Sequence, residues 1–405
     1  MHFISTRDPD HRATPSETLT RGLAPDGGLY VPASFPQVDP AEAPSEAIAD
    51  IATYMLAPYF KGDPLADVLQ QVCADTFSFP VPLRDIGPGT SVLELFHGPT
   101  AAFKDVGARF LASALSHLNE GANQPITILV ATSGDTGAAV AAAFHEKPNV
   151  EVVVCYPKGR VSERQEKQLT GWDNNVRTLA VNGDFDDCQR LVMGAFQDEK
   201  LSSEKRLSSA NSINVGRLLP QLTYYAAASR WYVERHNTRP GFIVPSGNLG
   251  NAVAGLYARA MGSPIREIIM ATNENRPVVD FLDTGTWKPK PTQETLATAM
   301  DVGDPSNMER LRHHWPHIDT VRKQVEAERI ADDEIERQIQ QGPEMWDTVW
   351  DPHTATAAAV RERRDTSHWI LVATAHPAKF DTVVEPLIGE SVPVPEALQA
   401  VMERS

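Results

Sequence analysis

The sequence predicts an α/β fold built on mostly parallel sheets, and three observations carry that prediction. Short apolar runs rich in Val, Ile and Leu recur, each followed by a loop containing Gly, Asn or Asp and then by a stretch of helical spacing. The unit is legible three times: ITILVAT (126–132), SGDTG, AAVAAAFHEK; NVRTLAV (175–181), NGD, FDDCQRLVMGAF; and GFIVPS (241–246), GNLGN, AVAGLYARAMG. The chain has 405 residues, 41% of them hydrophobic, so it can bury a large core, and its length favours two or three domains. Ligands of such folds sit beyond the carboxyl ends of the strands, which singles out the loops that follow them.

In chain order, residues 1–90 read as a small mixed cap. A short apolar-polar alternation leads to the turn-rich LAPDGGLYVP, and PSEAIADIATYMLAPYF follows with Ile48, Ile51, Tyr54, Met55 and Tyr59 at helical spacing and Ser45 placed to cap. The alternation of strands and helices begins near residue 91. HGPTAAFKD (97–105) is a Gly-Pro turn opening into the helix VGARFLASALSHL, and VEVVVCYP (150–157) is a further strand. Gly262 ends the helix after GNLGN, with Pro264 close behind. The stretch FLDTGTWKPKPTQETLATAMDVGDPSNMERL, rich in Pro, Thr and Gly, is expected to wrap the surface, and AERIADDEIERQIQQG to form a charged helix whose ADDEIER face is solvated. HWILVAT (368–374) is the last apolar strand.

Composition excludes several classes of partner. With a formal net charge of −16, the surface repels nucleic acid and anionic lipid. Three cysteines, Cys73, Cys155 and Cys188, include no CxxC pair, so neither a disulfide framework nor a zinc site is expected, and Cys155 and Cys188 read as small buried hydrophobes. The opening MHFISTRDPDHRATPS lacks the basic-then-apolar pattern of a signal peptide, and no run of 18 apolar residues occurs; a cytoplasmic protein is expected. His313, His314 and His317 suggest a metal cluster only until Pro316 is noticed, which interrupts any helix that would align them; a surface loop is expected there and no metal.

Three features carry chemistry. In SGNLGN (246–251) two glycines between a strand and a helix let N–H groups converge at a helix N-terminus, which makes an anion site; the spacing is neither GxGxxG nor a Walker loop, and a tight turn with no ligand is the plain alternative. SGDTG (133–137) has the same context, so Ser133, Thr136 and the first-turn N–H groups are placed to hold a carboxylate, unless they only cap a helix. Asp135 sits badly beside an anion and is expected to face an ammonium or a hydroxyl. Lys104, a solvated helical lysine by default, gains meaning from this company: an amine beside a phosphate cradle and a carboxylate cradle suits pyridoxal phosphate.

The blocks STRD, LAPDGGLYVP, LELFHGPTAAFKDVGARFLA, ATSGDTGAA, YPKGRVSERQEKQLT, GDFDDCQRLV, SANSINVGRLLPQ, VPSGNLGN, ATNEN, AMDVGDPSN, PHTA and ATAHPAKF run in order over nearly the whole chain. In them the sequence resembles the threonine synthase family, the branch found in many bacteria and fungi, among the fold-type II (tryptophan synthase β-like) pyridoxal-phosphate enzymes. The resemblance implies two doubly wound, mostly parallel open sheets with an added N-terminal domain. It divides the chain into an N-terminal cap (1–90), a large cofactor-binding domain (91–125 and 210–405) and a small α/β domain (126–209). It implies a carbon–oxygen lyase acting on phosphates, converting O-phospho-L-homoserine and water into L-threonine and phosphate by γ-elimination and β-addition of water, the last step of threonine biosynthesis.

Residue by residue, the resemblance makes Lys104 the Schiff-base lysine and catalytic base, and Gly247, Asn248, Leu249, Gly250 and Asn251 the phosphate loop. Thr374 becomes the hydroxyl that meets the pyridine nitrogen, and Ser133, Gly134, Asp135 and Thr136 the loop that closes on the amino-acid carboxylate; relatives of other specificity carry Asn where Asp135 stands. A dianionic leaving group needs cationic or N–H donors, for which Lys158 and Arg160 are first candidates and Asn211, Ser212 and Arg217 second. His97 and His376 lie in matched blocks and line the cofactor site or pack in turns. A monomer or loose homodimer is implied. Two rival readings stay open on sequence: a dehydrating or β-replacing relative acting on serine or threonine, and a catalytically silent scaffold, against which Lys104, the glycine loop and Thr374 argue.

Overall fold

A computed structural model describes residues 1–404 except Ser133 and Thr366, with the backbone alone at Asp186 and Ser202. Along the described chain run the strands β1 (Phe3–Ser5), β2 (Arg12–Ala13), β3 (Tyr30–Pro32), β4 (Leu83–Gly87), β5 (Thr90–Glu94), β6 (Ile126–Ala131), β7 (Val150–Pro157), β8 (Val176–Val181), β9 (Arg206–Ser209), β10 (Gly241–Pro245), β11 (Ile268–Thr272), β12 (Glu326–Arg329) and β13 (Trp369–Ala373). They form three sheets. The first, β2-β1-β3, is antiparallel and lies at the N-terminus. The second has the order β12-β11-β10-β13-β5-β4, parallel except at β4, and the third, β8-β7-β6-β9, is parallel throughout. The predicted α/β class with mostly parallel sheets is the one the chain adopts.

The strand sequences explain the layering. β10, β11 and β13 are buried at every residue, as expected for parallel strands covered by helices on both faces. The 22-residue helix Val215–His236 packs against the helices Ile48–Phe60, Lys104–Leu118 and Gly250–Ala260, and it ends where Asn237 turns left-handed at φ 50°. Asp184 caps the helix Phe185–Gln197 by accepting from Asp187 N, as NGD predicts. Among the described residues no helix is long and apolar enough to cross a membrane.

Four expectations need correction. Ser45 does not cap the helix Ile48–Phe60: its hydroxyl donates to Asp50 and accepts from Ala47 N, and the N-cap position is Ala47. The segment read as one charged helix begins as the edge strand β12, because Glu326–Arg329 pairs with β11, and the helix starts only at Asp332. His313 and His314 close the helix Met308–His314 rather than forming a surface loop; His314 stacks on Phe35 and Tyr257, and burial pushes its imidazole down to about 3. The stretch expected to wrap the surface turns inward: Thr295, Ala297, Met300 and Asn307 are buried, and the turn Thr298–Met300 lies against the loop after β10.

One side chain ties these parts together. Arg310, fully buried, donates to the carbonyls of Tyr30 in β3, of Ser212 (3.1 Å) and of Ile213, and to Asn307 Oδ1. Burial lowers its guanidinium to about 10, well above neutrality, so it stays charged. Arg310→Met leaves four acceptors without their donor, each costing about 1–3 kcal/mol. A loss of at least about 4 kcal/mol is therefore expected, read as a lower urea midpoint at unchanged m-value; a wild-type midpoint would show that the clamp is dispensable.

Candidate active site

β10, β13 and β5 are neighbours and run in the same direction, so the loops at their carboxyl ends converge. These loops are SGNLGN, Thr374 and its successors, and HGPTAAFKD. The last is held by its own turn and by the strand-end beside it. Asp105 accepts from Thr100 N (2.9 Å) and Thr100 Oγ1 (2.7 Å), and a Cβ on Gly98 would come within 2.5 Å of that carboxylate. Ala101, buried, takes a left-handed φ of 52°, which is held by a hydrogen bond from its N–H to Gly98 O (3.0 Å) and one from His376 N to its carbonyl (3.0 Å). Phe103 N donates to Thr374 O at 2.8 Å, and Ala102 bridges to Ala375. Lys104 follows as the first residue of its helix, so its position is fixed relative to Thr374 by backbone.

Lys104 does not point into solvent. Its side chain is 16% exposed; Nζ lies 3.7 Å from Asp135 Oδ2 and 5.5 Å from the centre of the Phe103 ring. Asp135 opens the helix that follows β6, and its other oxygen, Oδ1, is 3.0 Å from Lys379 Nζ. Lys379, completely buried, also donates to Thr100 O at 2.6 Å. The expectation that Asp135 faces an ammonium is met twice over. Burial opposes its ionisation, but the ammoniums of Lys379 and Lys104, with His353, overcome that and hold the carboxyl well below its usual range. Burial pushes the Lys104 amine down; Asp135 works against this, whereas Lys379 and Arg217 add to it.

The loop after β10 is a cradle of N–H groups. Among the described residues Gly247 through Ala252 make no backbone hydrogen bond through their N–H groups, and the first intrahelical bond runs from Val253 N to Leu249 O at 2.9 Å. Leu249 takes φ 60° to turn the chain, and Gly247 is required because a Cβ there would meet Met300 Cα at 2.7 Å. Asn248 is fixed from outside: Nδ2 donates to Ser212 Oγ (2.6 Å), Oδ1 accepts from Ser306 N (2.6 Å), and its carbonyl accepts from Asn307 Nδ2 (2.9 Å). Asn251 Oδ1 accepts from the hydroxyls of Tyr224 and Tyr225, which leaves its buried Nδ2 without a partner. An orphaned buried donor beside unpaired N–H groups at a helix N-terminus fits a phosphate. Thr374 adds a hydroxyl that makes no hydrogen bond among the described residues, while its N–H donates to Thr354 Oγ1 (3.2 Å). Lysine, phosphate cradle and free hydroxyl together fit pyridoxal phosphate.

The other sequence candidates divide. Ser133 lies outside the described residues. Gly134 N and Gly137 N are taken by Thr132 Oγ1 (both 2.9 Å), while Thr136 is partly exposed beside Asp135. Asn211 Nδ2 donates to Ala131 O (3.1 Å) at the end of β6 and its Oδ1 is orphaned. Arg217 is buried behind Lys104, donating to Ala210 O and, at 3.5 Å, to Lys104 O; burial lowers it to about 10. Lys158 and Arg160 are exposed after β7, and among the described residues neither side chain has a partner. His97 bonds Glu94 (2.7 Å) and His376 packs on Phe96, burial pushing His376 down to about 4.

Sequence reasoning missed Lys379, and also His353, whose Nδ1 pairs with Asp351 (2.8 Å) and whose Nε2 accepts from Ala299 N (3.0 Å). The available signal was the lysine of ATAHPAKF and the histidine of PHTA, blocks that also carry Thr374, His376 and Thr354. Gly247→Ala is expected to weaken pyridoxal phosphate binding at least about tenfold, since the new methyl displaces the loop from Met300. Equilibrium dialysis with far-UV dichroism unchanged checks this.

Comparison with known proteins agrees with the geometry. Residues 91–373 match the model of pyridoxal-phosphate dependent enzymes, residues 2–77 that of the threonine synthase N terminus, and residues 354–405 that of the threonine synthase C-terminal region. Threonine synthase of Escherichia coli (strain K12) is 39% identical over 98% of this chain and 94% of its own. The crystal structure of the Escherichia coli threonine synthase superposes with a TM-score of 0.90 at 36% identity, covering 100% of this chain and 95% of that one. The crystal structure of PLP-bound threonine synthase from Brucella melitensis gives 0.91 at 33% identity with the same coverage. On this evidence the chain belongs to the threonine synthase family of pyridoxal-phosphate-dependent enzymes.

Proposed function

We propose that this chain converts O-phospho-L-homoserine and water into L-threonine and phosphate, as a cytoplasmic enzyme of threonine biosynthesis. The observation that carries the reading is Lys104, buried against Asp135 and tied by backbone to Thr374, on the same sheet end as a phosphate-sized cradle with an orphaned Asn251 Nδ2. Lys104 would hold the cofactor's aldehyde carbon, the N–H groups of Gly247–Asn251 with Asn251 Nδ2 its phosphate, and the Thr374 hydroxyl its pyridine nitrogen. When bound, the cofactor supplies an electron sink for negative charge developed on the substrate. We divide the chain into the cap (1–90), the large domain (91–125 and 210–405) and the small domain (126–209), acting as a monomer or loose homodimer.

The protein's own share is proton handling, orientation and charge. Lys104 Nζ takes the proton from the substrate α-carbon and returns it there at the end, a role that needs its amine neutral at the moment of attack. Asp135, kept ionised, holds the protonated Lys104 close between those events. The first-turn N–H groups of Asp135 and Thr136 receive the substrate carboxylate, and Ser133 joins them in that role. Breaking the Cγ–O bond releases a dianion, which the unpartnered charges of Lys158 and Arg160 draw out, with Asn211 and Ser212 at the edge. A proton is lost from the β-carbon before the Cγ–O bond breaks; water oxygen then bonds to the β-carbon as a water proton is released, and the protons set free go to the γ-carbon, the α-carbon and the departing phosphate. The buried Arg217, already hydrogen bonded to two carbonyls, serves as a wall rather than a phosphate ligand.

Phosphate release from O-phospho-L-homoserine with the amino-acid product identified in the same tube tests the proposal. Equimolar threonine is expected; 2-oxobutyrate alone, or no release, overturns it. Lys104→Ala is expected to stay folded, yield no cofactor adduct reducible by borohydride and release no phosphate. Lys158→Met and Arg160→Met should each raise KM about tenfold, the equivalent of one 1.4 kcal/mol contact, with the thermal midpoint unchanged. An unaltered KM in both would remove them from the leaving-group site.

A further inference from the structure

Two lysines share one buried carboxylate in this site, and they share it unequally. Lys379 donates to the Thr100 carbonyl at 2.6 Å and forms the closer ion pair, 3.0 Å to Asp135 Oδ1, and none of its side chain is exposed. Lys104 has only the longer ion pair, 3.7 Å to Asp135 Oδ2, and its side chain is 16% exposed. With both amines protonated and Asp135 ionised the cluster carries one unbalanced positive charge in a place with little water. The cheapest relief is loss of one proton, and it comes from the amine with fewer and longer contacts. Of the other groups facing the cluster, the Arg217 guanidinium, against the Lys104 carbonyl, pushes the same way; Asp105, which could offset a cation, spends both oxygens on Thr100, and the ring nitrogens of His353 are taken by Asp351 and Ala299 N.

We infer that Lys379 is a positioning residue that occupies the charge of Asp135 and thereby weakens the hold of Asp135 on the Lys104 amine, favouring its neutral, nucleophilic form. Asp135 then acts as a shared counter-ion whose hold on Lys104 is set by Lys379. The inference rests on Lys104 being the lysine that takes the cofactor. It assigns a role to the lysine of HPAKF, which the sequence analysis left without one.

The test is the pH dependence of imine formation on the full-length chain, freed of cofactor and mixed with pyridoxal phosphate, trapped with borohydride and mapped by mass spectrometry. Lys379→Met, nearly isosteric, removes the competing cation and lets Asp135 pair with Lys104 alone. Its loading midpoint is expected to move up by at least about one pH unit, so that loading below the midpoint slows about tenfold, one unit being a factor of ten. Lys379→Arg restores the cation and should restore the midpoint. Asp135→Asn, which removes the attraction on Lys104 instead, should move the midpoint down, and this opposite sign keeps the inference testable if Lys379→Met fails to fold. A lower thermal midpoint in Lys379→Met with an unchanged loading profile would make Lys379 a strut and overturn the inference, as would shifts of the same sign in Lys379→Met and Asp135→Asn. Trapping at another lysine in the unmodified chain would overturn the assignment of Lys104 itself, a separate failure seen before any variant is made.

Discussion

A carboxylate with only 4% of its side chain exposed stays ionised only with cations beside it, and Asp135 has Lys379 at 3.0 Å and Lys104 at 3.7 Å. The three groups come from three separate stretches of chain: the turn after β5, the helix start after β6 and the short turn Pro377–Phe380 after β13. The ion cluster therefore joins the six-stranded sheet to the four-stranded one at the point where chemistry is expected. Further contacts reinforce that joint, because Arg164 pairs with Asp381 at 3.0 Å and donates to the Ala378 carbonyl. Burying the cluster is costly unless its geometry is right, so the surrounding backbone has to be stiff.

Stiffness comes from bonds that involve none of the groups proposed to touch substrate. Phe103 N to Thr374 O and His376 N to Ala101 O lace the Lys104 turn to the end of β13. Asp351, His353 and Thr354 form a second lacing: His353 accepts from Ala299 N, in the turn that shapes the Gly247 loop, and Thr354 Oγ1 accepts from Thr374 N. Because His353 donates from Nδ1 to Asp351 and accepts at Nε2, its ring is held in one tautomer. Arg310 extends the lacing to β3 and the SANSIN segment. Each lacing bond fixes a loop whose own sequence, rich in Gly and Asn, would otherwise leave it free.

The separation of roles along the chain follows from that arrangement. Groups proposed to meet the cofactor lie at strand ends, whereas Lys158 and Arg160, proposed for the leaving phosphate, stand exposed on the loop after β7, without a partner among the described residues. A cationic group on a long side chain suits a partner that arrives and leaves as a dianion. A net charge of −16 over the whole chain makes such cationic positions the more distinct to an anionic substrate.

The sequence by itself determined the α/β class, since short continuous apolar runs alternating with helical spacing leave few other architectures, and it determined the family, since long blocks in one order are local chemistry readable without coordinates. It located the N–H cradle for the same reason: glycines between a strand and a helix declare it wherever they occur. It anticipated that Asp135 would face an ammonium or a hydroxyl, on the elementary ground that a carboxylate does not face another. Tertiary structure alone decided which cations, because Lys104, Asp135 and Lys379 are far apart in sequence and meet only through the packing of two sheets. It also decided that EAER is an edge strand and that the Pro- and Thr-rich stretch turns inward, for pairing with β11 and contact with Gly247 are non-local interactions that overrule local propensity. Arg217 illustrates the limit most plainly: in sequence it is one more cation near a substrate loop, and only the fold shows it buried behind Lys104, donating to the Ala210 carbonyl.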